Sequence, residues 1–124
     1  MKYFDYEEFD SPDEIGSGLP TTDGGKMNVN FLHKLDEARA ISGVPYKITS
    51  GYRTPKHNAK VGGRVGSSHL KGVAVDIKCN NSSDRARILK GLFTVGLGRR
   101  VGIASNFIHV DADYDKPSAI WLYQ

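Results

Sequence analysis

The sequence predicts an α+β fold in which a small antiparallel sheet is flanked by helices. Two stretches carry apolar residues at helical spacing, and five short stretches have the composition of strands. The two kinds of element are segregated along the chain rather than strictly alternating, which favours α+β over a parallel α/β sheet. A length of 124 residues fits one domain, 1–124, with enough chain to bury a core.

The first 26 residues predict an irregular N-terminal arm. They contain few periodic apolar positions and many turn-forming residues, among them Ser11-Pro12 and Asp23-Gly24-Gly25. We expect the arm, 1–26, to pack its aromatic side chains onto the rest of the domain.

The first helix is predicted over 28–42. Its apolar residues recur at helical spacing and are Phe31, Leu32, Leu35, Ala38 and Ile41. Asn28 can cap the start, and Gly43 with Pro45 supplies the stop. The β-rich segment 46–50 then predicts a strand.

A long connection follows over 51–68, rich in Gly, Arg, Ser and Asn, with one helical turn predicted near 55–60. Connections of this length in compact domains tend to be functional. The next segment, 73–78, is the clearest strand of the sequence.

The second long helix is predicted over 83–95, from the capping residues around Asn81 to Gly96. Gly91 lies inside it and costs about 1 kcal/mol relative to Ala, so this helix depends on tertiary packing. Three short strands complete the prediction, over 101–104, 107–111 and 119–123.

Composition excludes several classes of protein. The hydrophobic share of 39% and charged share of 25% are those of an ordinary globular protein. With Cys79 as the single cysteine, neither an internal disulfide nor a cysteine-rich zinc site is possible, and we expect a buried, inert thiol. The net charge of +3 does not by itself indicate nucleic-acid binding. No apolar run approaches the roughly 20 residues of a membrane span, so we expect no membrane insertion. We also expect the protein to be a monomer.

Three ionisable residues form a candidate metal site. Strand alternation directs Asp76 away from the apolar face of 73–78, and does the same for His109 and Asp111 in 107–111. His69 precedes Asp76 by seven residues, at the lip of the same strand. Two imidazoles and one carboxylate form a catalytic type of zinc set that leaves one position open. On the residues alone, metal binding and ordinary hydrogen-bonded strand side chains are equally good interpretations.

The candidate ligands belong to two motifs, Ser67-x-His69-x-x-Gly72-x-Ala74-x-Asp76 and Phe107-Ile108-His109-Val110-Asp111. These motifs resemble those of the zinc D-Ala-D-Ala carboxypeptidase family, which has the hedgehog/DD-peptidase fold. Similarity extends upstream to Ser50-Gly51-Tyr52-Arg53-Thr54-Pro55 and downstream to Ala119-Ile120-Trp121-Leu122-Tyr123. It is closest to the short catalytic domains of phage and bacterial cell-wall hydrolases, and it runs from about residue 28 to the C-terminus.

The resemblance implies that His69, Asp76 and His109 bind one zinc ion. It also places Arg53 where the family has an arginine that faces the substrate and steadies developing negative charge. The alternative is an ordinary surface arginine. Ser67 would support the site and the substrate by hydrogen bonding, or else is a plain turn residue.

The general base is where this sequence departs from the family pattern. Many members have an acidic residue three positions before the last histidine ligand, but here that position is Asn106. Asp111 is the best substitute, because it shares a strand face with His109. It could equally orient an imidazole. We expect His57 to hold its loop in place and His33 to be solvated.

The resemblance implies a zinc peptidase that hydrolyses peptidoglycan stem peptides, as a carboxypeptidase or an endopeptidase. Its partner would be peptidoglycan. The N-terminus, Met1–Glu8, has no apolar signal region, so we expect synthesis in the cytoplasm and action on the cell wall as a phage-released or virion-associated enzyme. The main alternative is a non-catalytic, zinc-containing module that binds peptidoglycan or a protein. A basic nucleic-acid-binding domain has little support.

Overall fold

A computed structural model describes residues 1–123 and confirms the α+β class. The α-helices are α1 (Val29–Ser42), α2 (Pro55–Lys60) and α3 (Ser82–Thr94). The strands are β1 (Ile48–Ser50), β2 (Ala74–Lys78), β3 (Arg100–Ile103), β4 (Phe107–Asp111) and β5 (Ala119–Leu122). They form one five-stranded sheet in the order β1-β2-β4-β3-β5.

The sheet is mixed, whereas the sequence predicted an antiparallel one. The pairings β1–β2, β2–β4 and β3–β4 are antiparallel, but β5 lies parallel to β3. The reason is topological, because β4 already has a neighbour on each side. The chain therefore reverses through 112–118 and adds β5 at the far side of β3, as the sheet edge.

Local capping explains why the two long helices begin where the sequence predicts. The Asn28 side chain accepts a hydrogen bond from the Phe31 backbone N–H at 3.0 Å, and Gly43 ends α1 with a left-handed φ of 70°. At the start of α3, the Asn81 side chain accepts from the Asp84 backbone N–H at 2.8 Å. The two helices pack against each other beside the sheet.

The core lies between these helices and one face of the sheet. Its fully buried strand residues include Val75, Ile77, Val101, Ile108 and Val110, and its helix residues include Leu32, Leu35, Ile88 and Leu92. The apolar faces predicted for the two central strands are thus confirmed. The polar side chains of the same strands lie on the opposite face.

The N-terminal arm packs Phe4 and Phe9 into this core, in line with the prediction, whereas Tyr3 is exposed. It contains two 3₁₀ helices, Tyr6–Phe9 and Thr21–Asp23, joined by turns. Phe9 is fully buried, and its ring centroid lies 5.2 Å from that of Phe4. The Phe9 carbonyl accepts a hydrogen bond from the Tyr52 backbone N–H at 2.9 Å, so the arm braces the segment that follows β1.

None of the helices within residues 1–123 has the length and apolarity that a membrane crossing requires.

Candidate metal centre

Three elements bring the predicted ligands together. Asp76 in β2 and His109 in β4 are direct partners in the antiparallel register. His69 lies on a short 3₁₀ helix, Ser68–Lys71, that leads into β2 through Gly72. Gly72 has a left-handed φ of 69°, and a Cβ there would overlap the carbonyl of Lys26. Close approach of the arm to this turn therefore requires glycine.

One donor atom from each of these residues lies within 4.8 Å of the others. The Oδ1 atom of Asp76 is 3.4 Å from Nε2 of His69 and 2.9 Å from Nδ1 of His109. Both imidazoles are more than nine-tenths buried, and their ring centroids are 5.2 Å apart. The cluster therefore combines two imidazole nitrogens and a carboxylate oxygen at a point shielded from most solvent.

The backbone orients the His69 ring. Its Nδ1 lies 2.8 Å from the carbonyl oxygen of Gly51, which can only accept a hydrogen bond. Nδ1 must therefore donate this hydrogen bond, and Nε2 is the nitrogen that faces Asp76. A hydrogen bond from the far nitrogen to a carbonyl is the arrangement that orients metal-binding histidines.

Asp111 holds the far nitrogen of the second imidazole. Its Oδ2 lies 2.8 Å from Nε2 of His109, and its Oδ1 accepts from Nε of Arg100 at 2.8 Å and from the Asp113 backbone N–H at 3.1 Å. The Asp111 side chain is 1% exposed. Both of its oxygens are therefore engaged and buried.

The charges of the cluster are coupled. Burial opposes ionisation of Asp76, but hydrogen bonds from His109 and His69 outweigh it and hold the pKa of this carboxyl well below its usual range. Burial likewise opposes the charged form of His109, yet hydrogen bonds to Asp111 and Asp76 raise its pKa above the usual value. The carboxylate is thus ionised at neutral pH and ready to bind a cation.

The predicted substrate-facing arginine borders the cluster. The Nη2 atom of Arg53 is 3.6 Å from Oδ2 of Asp76, while its Nε donates to Ser50 Oγ at 3.0 Å and its Nη1 donates to Asn58 Oδ1 at 3.3 Å. These contacts aim the guanidinium at the candidate ligands. Ser67 lines the same cavity, and its hydroxyl accepts from the His69 backbone N–H at 3.3 Å.

The cluster lies at the wall of an open cavity of about 720 Å³. Residues from the loop after α2 and from β5 also line it. The ring centroid of Trp121 lies 5.5 Å from that of His109, and the guanidinium carbon of Arg100 lies 5.0 Å from the centroid of the indole ring. A substrate could therefore reach the donor atoms from this side.

The donor set fits zinc, which accepts imidazole nitrogen and carboxylate oxygen and in catalytic sites has three protein ligands. Comparison with protein families agrees, because the model of the family described as Peptidase M15 matches residues 2–111. The chain belongs to the peptidase M15 family.

This is the zinc D-Ala-D-Ala carboxypeptidase family, so the resemblance noted in the sequence is confirmed, and membership implies a zinc metallopeptidase of the cell-wall hydrolase kind. The match includes all three candidate ligands, begins in the N-terminal arm and ends at Asp111, so the predicted resemblance of the segment 119–123 stays a prediction. Among curated proteins, none matches the sequence significantly.

The remaining predicted residues lie apart from the cluster. His33 is exposed on α1, as predicted. His57 is half-buried on α2, where its backbone N–H donates to Thr54 Oγ1 at 3.0 Å, and its ring does not line the cavity. Asn106 is exposed, and its carbonyl accepts from the backbone N–H of Cys79, which is buried as predicted.

Sequence reasoning missed two residues that support the site. Arg100 supports Asp111, and Asp113 accepts from Ser68 Oγ at 2.7 Å beside His69. The sequence did contain a signal for Asp113, because it follows Asp111 at strand spacing and so continues the polar face of β4. Arg100 left no such signal, since its role depends on the register between β3 and β4.

Proposed function

We propose that this peptidase hydrolyses peptide bonds in the stem peptides of peptidoglycan, as a carboxypeptidase or an endopeptidase. The observation that carries the proposal is the convergence of three atoms, Nε2 of His69, Nδ1 of His109 and Oδ1 of Asp76, at the wall of an open cavity. An open cavity beside three donors favours catalysis over a closed structural metal site.

In this proposal His69, Asp76 and His109 bind a single zinc ion. Zinc in such a site supplies Lewis-acid chemistry, activating water for attack and polarising a carbonyl oxygen. The protein contributes an ionised Asp76 and a His69 ring that the Gly51 carbonyl orients so that Nε2 faces Asp76. These features are present without rearrangement, which is the basis of a preorganised site.

Arg53 has the electrostatic role. Its guanidinium is held by Ser50 and Asn58 and remains 16% exposed toward the cavity, so it can approach the oxygen that becomes negative during hydrolysis. Ser67 orders the backbone of His69 and lies where a substrate amide could contact its hydroxyl.

Asp111 has two proposed roles, orienting His109 and accepting a proton, and its contacts support the first more than the second. Its engagement with His109 and Arg100 supports the orienting role. Acting as proton acceptor would require it to leave His109 first. Within residues 1–123 the only carboxylates that line the cavity are Asp76 and Asp111, so Asp111 remains the candidate base.

We further propose that the biological setting is a phage lysis or virion enzyme, with peptidoglycan as the partner and the chain as a monomer. A small catalytic domain and a net charge of +3 are compatible with an anionic cell wall. These points rest on the similarity of the motifs to short cell-wall hydrolase domains.

The test measures zinc content together with release of amino groups from purified peptidoglycan. Wild type should contain stoichiometric zinc and release amino groups, His109→Ala should lose both, and His33→Ala, altered on an exposed helix face, should retain both. Absence of zinc from the wild type would remove the basis of the site.

The alternative is a non-catalytic zinc module that binds peptidoglycan or a protein. Two observations favour it, namely Asn106 at the position of the family's acidic residue and the full engagement of Asp111. Wild type with zinc but no hydrolysis on several wall types would support this alternative. Hydrolysis that Asp111→Ala abolishes while zinc stays bound would exclude it.

A further inference from the structure

The cavity beside the candidate metal centre is rich in cations. Among residues 1–123, four of the lining residues are basic, Arg53, Arg64, Arg100 and Lys116, and two are acidic, Asp76 and Asp111. The lining therefore favours an anionic ligand even before a metal ion adds its charge.

Two of the basic residues are committed to buried acids. Arg100 donates to Asp111 at 2.8 Å and also to the Pro117 carbonyl at 2.6 Å. Lys116 lies 3.6 Å from Asp113 and donates to the Gly66 carbonyl at 2.7 Å. Their charges are largely compensated by the protein itself.

Arg64 is different. Arg53 is paired with Asp76, but within residues 1–123 no carboxylate lies at ion-pair distance from the Arg64 guanidinium. The Arg64 residue is exposed at the cavity wall. Binding an anion here would not require breaking an existing ion pair.

The backbone of Arg64 is nonetheless held firmly. Its carbonyl accepts from Asn58 Nδ2 at 2.8 Å and from the Ser67 backbone N–H at 3.0 Å. The same Asn58 side chain accepts from Arg53 at 3.3 Å, and it is buried. The Asn58 side chain therefore holds the Arg64 backbone at a fixed position relative to Arg53, which borders the candidate metal ligands.

We propose that Arg64 binds a free carboxylate of the substrate, the C-terminal carboxylate of the peptide being cut. A guanidinium recognises carboxylates with two parallel hydrogen bonds, which gives both affinity and orientation. This inference rests on the proposed peptidase function and deepens it. Arg64 and the candidate metal ligands line the same cavity, so a peptide that Arg64 holds by its C-terminal carboxylate lies in the cavity of the metal centre.

The test compares two synthetic stem peptides that differ only in a C-terminal carboxylate or carboxamide. Wild type should prefer the carboxylate, and Arg64→Gln should lower kcat/KM for it by roughly 10- to 100-fold, mainly through KM. The variant should cleave the carboxamide as well as wild type does. Arg87→Gln, which removes an exposed arginine of α3 outside the cavity, is the matched control and should change neither rate.

A second readout, which needs no turnover, is the binding of both peptides to the same variants. Calorimetry measures it on zinc-loaded and on metal-free protein. The ratio of the two dissociation constants should fall toward one in Arg64→Gln. Equal losses on both peptides, or no loss on either, would overturn the role of Arg64. A wild type that prefers the carboxylate in binding but cleaves neither peptide nor wall would instead overturn the peptidase proposal and leave the role of Arg64 supported.

Discussion

Asp111 accepts a hydrogen bond from Nε2 of His109 at 2.8 Å, which leaves Nδ1 of that ring 2.9 Å from Asp76. The arrangement selects which nitrogen faces the candidate metal position. It also shows how β4 uses alternate residues of one face, the first as a candidate ligand and the second as its hydrogen-bond partner. Arg100 and the Asp113 backbone keep the Asp111 carboxylate in place.

Replacing Asp111 with Asn should weaken zinc binding by about 10- to 100-fold, because an amide stabilises the His109 orientation less well than a carboxylate. Competition with a chromophoric chelator measures the affinity, and hydrolysis should recover at saturating zinc. Asp115→Asn, at a side chain that is 86% exposed, is the control. Unchanged zinc affinity with lost hydrolysis would instead identify Asp111 as the proton acceptor.

Zinc should stabilise the folded protein. A ligand that binds only the native state adds about 2.7 kcal/mol to the free energy of unfolding at a free concentration 100 times its Kd. Thermal unfolding with and without zinc should show a rise in Tm that a chelator reverses, and His69→Ala should remove the response. If His33→Ala abolished it too, the ion would bind somewhere other than the proposed centre.

Much of the fold could be predicted because its signals are local. Asn28 and Asn81 cap the two long helices, and alternation in β2 and β4 separates the core face from the polar face. The direct pairing of Asp76 with His109 could not be deduced, because register depends on contacts between distant segments. The parallel placement of β5 at the sheet edge was missed for the same reason.

Gly91 shows how an intrinsic propensity can mislead. The sequence suggests that glycine merely weakens α3, but the helix passes so close to α1 that a Cβ at this position would overlap Ser42 Oγ and the Ala38 carbonyl. Glycine here permits the close contact between the helices. Its cost in backbone entropy is offset by the packing that it allows.

Gly91→Ala should therefore destabilise the protein, by about 1–3 kcal/mol, although alanine is the better helix former. Urea unfolding gives the change in the free energy of unfolding. Ser83→Ala, at an exposed position of the same helix, is the control and should have little effect. A more stable Gly91→Ala protein would mean that the two helices can separate at little cost.

Asp113 ties the loop after β4 to the segment that carries His69. Its carboxylate is 2% exposed, accepts from Ser68 Oγ at 2.7 Å and pairs with Lys71 at 3.0 Å. Asp113→Ala should lower the free energy of unfolding by about 1–3 kcal/mol, because the Ser68 hydroxyl is left buried without this partner. Zinc affinity should fall as well, through the looser position of His69. Urea unfolding and chelator competition measure the two effects. A loss of stability with unchanged zinc affinity would contradict the positioning role.

Ionisation of Tyr46 should lower the free energy of unfolding in alkaline solution. Burial raises the pKa of Tyr46 to about 12. The hydrogen bond between its hydroxyl and Ser42 Oγ, 2.5 Å away in the core, lowers the pKa but does not outweigh burial. The unfolded chain ionises near pH 10, so between pH 10 and 12 it releases a proton that the folded protein retains. The stabilisation is complete below pH 10 and is lost as the pH rises toward 12. The expected total is on the order of 2 kcal/mol.

Tyr46→Phe removes this titration while keeping the ring in the core. The variant should be less stable than wild type at neutral pH, because the Ser42 hydroxyl loses a partner, and the difference should shrink as the pH rises from 10 to 12. Urea unfolding across this range measures the difference directly, which cancels the titration of all other groups. Tyr114→Phe, at a residue that is 72% exposed, should show no such trend. A difference between wild type and Tyr46→Phe that stays constant with pH would mean that Tyr46 ionises equally in both states, and burial would then not control its pKa.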